Sequence, residues 1–124
     1  MSQRTVVYVE DNEYNRKIVR QLLGRTSYRL LEALDGESGV AIARQELPQL
    51  ILMDVQLPKM SGLEATRTLK ADPRTRDIPI IVITSFALSG DREKAAAAGA
   101  DSYLAKPYSP RELLALVRQF LPEV

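Results

Sequence analysis

The chain reads as an α/β protein: a (βα)5 doubly wound fold built on one five-stranded parallel sheet. Three observations predict it. Five short runs rich in β-branched and aliphatic residues alternate with five stretches of helical periodicity. Two of those runs, Leu50-Ile51-Leu52-Met53 and Ile80-Ile81-Val82-Ile83, are apolar without alternation, as strands covered on both faces are. Polar, reactive residues follow the ends of four of the five runs, where open α/β sheets hold their ligands.

The strand runs are Thr5-Val9, Tyr28-Ala33, Gln49-Met53, Ile78-Ile83 and Asp101-Ala105. The first helix carries Tyr14, Ile18 and Leu22 on one stripe, flanked by Val19 and Leu23, with Asp11 or Asn12 as its cap and Gly24 near its end. The second spans about Gly36 to Glu46, with Val40, Ala43 and Leu47 on one face. The third runs from about Gly62 to Lys70, with Leu63, Thr66 and Leu69 inward and Gly62 as a backbone hinge. It stops at Asp72-Pro73, because the residue before proline avoids the α region. The fourth covers about Gly90 to Ala98, and Gly99 suits a left-handed cap. In the fifth, Ser109-Pro110-Arg111-Glu112 has the form of a capping box. Leu113, Leu116, Val117, Phe120 and Leu121 then make an apolar face.

Composition narrows the function. A chain of 124 residues has the length of one domain, taken here as residues 1–124. Seventeen Lys and Arg against sixteen Asp and Glu leave no basic excess, so direct nucleic-acid binding is not expected. The absence of Cys and His removes thiol nucleophiles, the commonest general base and the usual zinc ligands. The start of the chain does not read as a signal peptide, and no apolar stretch reaches membrane-spanning length. A cytoplasmic protein without membrane contact is the expectation.

The residues beyond the strand runs are Glu10 and Asp11 after the first, Asp54 after the third, Thr84 and Ser85 after the fourth, and Lys106 with Pro107 after the fifth. The second run ends blandly at Ala33-Leu34, which suits an edge strand beside the first. The other four ends then converge on one rim. Three carboxylates there repel one another unless cations sit among them. Lys106 balances one, and an all-oxygen donor set points to Mg²⁺ for the rest. A divalent ion, an ammonium and a hydroxyl around one carboxylate also describe a phosphoryl-binding site.

Val9-Glu10-Asp11-Asn12, Leu52-Met53-Asp54-Val55-Gln56-Leu57-Pro58, Met60-Ser61-Gly62, Ile83-Thr84-Ser85, Gly99-Ala100-Asp101 and Tyr103-Leu104-Ala105-Lys106-Pro107-Tyr108 follow one another at spacings that resemble a bacterial response-regulator receiver domain. The likeness runs from Val6 to Leu121, and is nearest to receivers of hybrid kinases and to free-standing cell-cycle regulators of the DivK type. It implies a flavodoxin-like strand order 2-1-3-4-5. It makes Asp54 the phosphoacceptor, taking a phosphoryl group from a phosphohistidine of a histidine kinase or a histidine phosphotransfer protein. Glu10, Asp11, Asp54 and the backbone carbonyl of Gln56 would hold Mg²⁺. Lys106 would pair with the phosphoryl group, Thr84 would hydrogen-bond it, and Tyr103 would be the aromatic switch. The Lys106-Pro107 peptide would be cis.

On that reading the protein is a phosphorelay switch, not an enzyme. It catalyses only its own phosphorylation and dephosphorylation. Thr84 moves toward the new charge, Tyr103 fills the vacated space, and the face of the fourth helix, fifth strand and fifth helix changes for a downstream protein target. Read without the likeness, Tyr103 is equally a half-buried strand residue. Gln56 and Phe86, two residues after Asp54 and Thr84, would overhang the phosphoryl group and tune its lifetime. The runner-up is an aspartyl-nucleophile phosphatase or phosphotransferase of similar fold, but Val55-Gln56 supplies no second acid after Asp54. Asp101, Arg92, Lys94, Arg111 and Arg118 either pair across a phosphorylation-dependent homodimer or form a solvated charged surface. The chain is either a single-domain regulator or a receiver belonging to a larger protein.

Overall fold

A computed structural model describes residues 4–85 and 90–122. Elements follow in strict alternation: β1 (Thr5–Val9), α1 (Glu13–Leu23), β2 (Arg29–Ala33), α2 (Gly36–Glu46), β3 (Leu50–Asp54), α3 (Gly62–Ala71), β4 (Ile80–Thr84), α4 (Asp91–Ala97), β5 (Ser102–Ala105) and α5 (Pro110–Phe120). The strands form one parallel sheet in the order β2-β1-β3-β4-β5. The predicted fold class and the edge position of β2 both hold.

The period-two pleat divides the core into two layers. Val6, Tyr8, Leu50, Leu52, Ile81 and Ile83 face α1 and α5, meeting Val19, Leu23, Leu113 and Val117. Val7, Val9, Ile51, Met53, Ile80 and Val82 face α2, α3 and α4, meeting Val40, Ala43, Ala65, Leu69 and Ala95. Every residue of β1, β3 and β4 is buried, which explains the unbroken apolar runs. β5 is half-buried throughout.

The caps match the local chemistry. Asn12, not Asp11, caps α1, its side chain accepting from the Asn15 N–H at 3.0 Å. Ser109 and Glu112 form the expected capping box on α5. Gly99 takes the left-handed conformation (φ 100°) just past α4, where a Cβ would also press on the Lys70 side chain.

Two expectations need correction. Tyr14 is 71% exposed, so the inward stripe of α1 is Arg16, Val19 and Leu23, the last two being the flanking residues of the stripe read in the sequence. Leu47 is not on the buried face of α2. It closes that helix in the left-handed region (φ 46°) and is half exposed.

Candidate functional site

In the order 2-1-3-4-5 the chain's direction across the sheet reverses between β1 and β3, and a crevice opens above their carboxyl ends. Glu10 directly follows β1, and Asp54 is the last residue of β3. They are 2% and 1% exposed. Lys106, directly after β5, reaches both: its Nζ lies 2.5 Å from Asp54 Oδ2 and 3.3 Å from Glu10 Oε1. The Lys106 backbone N–H donates to the Thr84 carbonyl at 2.7 Å, which ties the lysine to the end of β4. The Lys106-Pro107 peptide is cis, as expected.

Each carboxylate is further held. Asp54 Oδ1 accepts the Gln56 backbone N–H at 2.7 Å. Glu10 Oε2 accepts the Asn12 N–H at 3.2 Å, and Oε1 accepts from Asn15 Nδ2 at 3.2 Å and from the Tyr8 hydroxyl at 3.3 Å. Arg16, 8% exposed, donates to the Glu10 carbonyl at 3.0 Å and also pairs with Glu13 and Glu32. Sequence reasoning gave no role to Tyr8, Asn15 or Arg16. Two signals were there: a phenol inside an otherwise β-branched strand, and an arginine in register with Val19 and Leu23.

The backbone below Asp54 is as tightly placed. A Cβ on Gly62 would lie 1.9 Å from the Asp54 carbonyl oxygen, and the Gly62 N–H donates to Val55 O at 3.0 Å. Gly62 is therefore required for close approach, because α3 starts directly against the chain that carries Asp54.

Burial lowers the Lys106 pKa, but Asp54 and then Glu10 outweigh it and hold the ammonium above the usual lysine value. Lys106 is thus a fixed positive charge. Two buried carboxylates sharing one ammonium leave a net negative site.

The other sequence-selected residues fall nearby. Thr84 ends β4 and is 2% exposed, one position beyond Ile83, the partner of Asp54 in the sheet register. Tyr103, on β5, is half-buried against the α2–α4 layer, with the Arg92 guanidinium 5.4 Å from its ring centroid. The Gln56 side chain is exposed, as are Asp11 and Ser85. Phe86 lies outside the described residues. Asp101 is engaged within the chain, accepting from Lys70 at 2.8 Å and from the Ile80 N–H at 2.9 Å.

Among the described residues, no three Asp or Glu side chains are already gathered around one point. The donor set nevertheless fits Mg²⁺. It consists of carboxylate and carbonyl oxygens only, it carries excess negative charge, and exposed Asp11 leaves room for the waters this ion retains. A cleft of about 480 Å³ opens beside Lys106, lined also by Asn15, Ile18, Pro107, Tyr108 and Pro110. Among the described residues no helix is long and apolar enough to cross a membrane.

Comparison with known proteins agrees with this geometry. The family model "Response regulator receiver domain" matches residues 6–118. The polar-differentiation response regulator DivK of Brucella anthropi is 40% identical over 118 residues, 95% of this chain and 96% of that protein. The receiver domain of the sensor histidine kinase PA1611 of Pseudomonas aeruginosa, solved with magnesium in its active-site cleft, superposes with a TM-score of 0.88. It is 36% identical over 96% of this chain and 98% of that one. The chemotaxis protein CheY4 of Vibrio cholerae gives a TM-score of 0.90 at 27% identity, over 97% of this chain and all of that one. A buried Asp54 at the sheet's crevice, held by Lys106 beside Glu10, is thus set in a chain that belongs to the response regulator receiver domain family of two-component signalling.

Proposed function

We propose that the chain is a phosphoacceptor switch in which Asp54 takes a phosphoryl group from a phosphohistidine of a histidine kinase or histidine phosphotransfer protein. The observation that carries this reading is the Asp54–Lys106–Glu10 cluster: a buried carboxylate fixed at both oxygens, beside a permanent cation, at the sheet's ligand-binding end. An Asp54 carboxylate oxygen bonds to phosphorus as the phosphorus–nitrogen bond to the donor imidazole breaks. The product is an acyl phosphate. A carboxylate is a weak nucleophile, so positioning and charge neutralisation supply most of the rate. The Gln56 N–H fixes the angle of the Asp54 carboxylate, and Lys106 stabilises charge on the transferred group. Glu10, Asp11, Asp54 and the Gln56 carbonyl would hold Mg²⁺, which when bound neutralises phosphoryl oxygens.

Phosphorylation changes the charge beside the end of β4. Thr84 donates its hydroxyl to the phosphoryl group, and Tyr103 repacks into the space that opens, altering the surface of α4, β5 and α5 presented to a downstream protein. Gln56 and Phe86, each two residues after Asp54 and Thr84, would control access of water to the phosphoryl group and so its lifetime. A phosphorylation-dependent homodimer would draw on the basic residues of that surface, since Asp101 already has Lys70.

The test is incubation with a small phosphodonor and Mg²⁺, read by intact mass. Wild type should gain one phosphoryl group and Asp54→Asn none. Equal labelling of the two would remove the assignment, and continuous turnover of donor to free phosphate would favour a phosphatase.

A further inference from the structure

Tyr8 is fully buried in an otherwise β-branched strand, within the layer facing α1 and α5. Its hydroxyl lies 3.3 Å from Glu10 Oε1, and the Tyr108 phenol interacts with it electrostatically. Tyr108 packs on the same layer and lines the cleft beside Lys106. One phenolic hydrogen serves one acceptor at a time, and a carboxylate is a stronger acceptor than a phenol. The Tyr8 hydroxyl therefore donates to Glu10.

The two oxygens of Glu10 are unequally served. Oε1 accepts from Tyr8, Asn15 Nδ2 and Lys106 Nζ, whereas among the described residues Oε2 accepts only the Asn12 N–H. Three donors saturate Oε1 and fix the carboxylate's rotation, and Oε2 keeps acceptor capacity.

We propose that Tyr8, backed by Tyr108, is a positioning residue that fixes Glu10 so that Oε2 is the oxygen offered to a divalent cation or to water in its shell. This rests on the Mg²⁺-dependent reading above. Tyr8→Phe keeps the ring in the core and removes only the hydroxyl. With the full chain and Mg²⁺ titrated against amide resonances, Tyr8→Phe should bind about fivefold more weakly than wild type, as expected for the net loss of one ordinary hydrogen bond. Tyr108→Phe should give a smaller loss in the same direction. It carries the test if Tyr8→Phe fails to fold. Added to Glu10→Gln, Tyr8→Phe should cause no further loss, because its effect runs through that carboxylate. Unchanged or tighter binding in Tyr8→Phe overturns the inference, as does an equal loss in the Glu10→Gln background, which would indicate packing. A wild type that binds no Mg²⁺ removes the underlying reading as well. A wild type that binds, with Tyr8→Phe matching it, removes the positioning role alone.

Discussion

Lys106 Nζ sits 2.5 Å from Asp54 Oδ2 across a separation of 52 residues, so the residue that follows the last strand supplies the counter-charge for the last residue of the third. The same ammonium reaches Glu10, and both carboxylates are almost completely buried. Taking away Lys106 strands two charges in the interior, which is more costly than never having had the pair.

Lys106→Met should therefore destabilise the metal-free protein by about 3 kcal/mol, and Mg²⁺ should recover part of the loss by taking over the neutralisation. Urea unfolding with chelator and with Mg²⁺ measures both. Unaltered stability in chelator would mean that Lys106 does not hold the two acids in solution.

Asp11 separates function from folding. It is exposed, and Asn12 rather than Asp11 caps α1. Asp11→Asn should leave metal-free stability within about 0.5 kcal/mol of wild type, the usual range for a surface change. Mg²⁺ binding should still weaken clearly. If Mg²⁺ affinity and the phosphorylation rate with a small donor both stay at wild-type values, Asp11 is no part of the site.

Gly62→Ala should destabilise the protein by about 2 kcal/mol or more, since the new methyl meets backbone and not a flexible side chain. Its phosphorylation should slow as well, because the relief available is a shift of the chain that carries Asp54. Thermal unfolding and phosphodonor kinetics on one sample check the pair of effects.

Acid sensitivity follows from carboxyls outside the site. The hydrogen bond from Arg20 holds Glu32 below the usual glutamate range, against an opposing effect of burial. Arg74, through its side chain and backbone, and then Arg44 hold Asp72 well below the usual aspartate range. Such groups bind fewer protons folded than unfolded, so their contribution is complete above the unfolded-state pKa and lost as pH falls through the folded-state value. Stability should hold down to about pH 5 and decline below it. Glu32→Gln should flatten that decline. Denaturant midpoints between neutral and acid pH test it, and a variant as acid-sensitive as wild type would show that Glu32 contributes nothing to the slope.

The element order, the sheet topology and the cluster of Glu10, Asp54 and Lys106 were all legible in the residues, because buried parallel strands are continuously apolar and a polar residue ending such a strand stands out. The inner face of α1 was not. Its apolar residues fit two adjacent stripes, and the one used includes Arg16, whose charge disguises it. Arg16 goes inward because the Glu10 carbonyl, Glu13 and Glu32 satisfy its guanidinium, partners that exist only once β1, α1 and β2 have assembled. Leu47 misled for a different reason: a left-handed helix end at a non-glycine residue has no marker in composition. The Tyr8–Tyr108 contact joins residues from opposite ends of the chain and leaves no local pattern at all.

The collision that forbids a Cβ on Gly62 also sets the mechanical character of the domain. Asp54 stands on main chain pressed from below by the first turn of α3, and it is flanked in the sheet by β1 and β4, both buried along their whole length. Two positions away on either side, β5 and β2 are covered only in part. Stiffness is thus graded across the sheet. On the proposed reading, a charge placed on Asp54 would meet an unyielding seat beneath it and softer margins at both edges, and Thr84 and Lys106, joined backbone to backbone, would lead its effect toward the β5 edge.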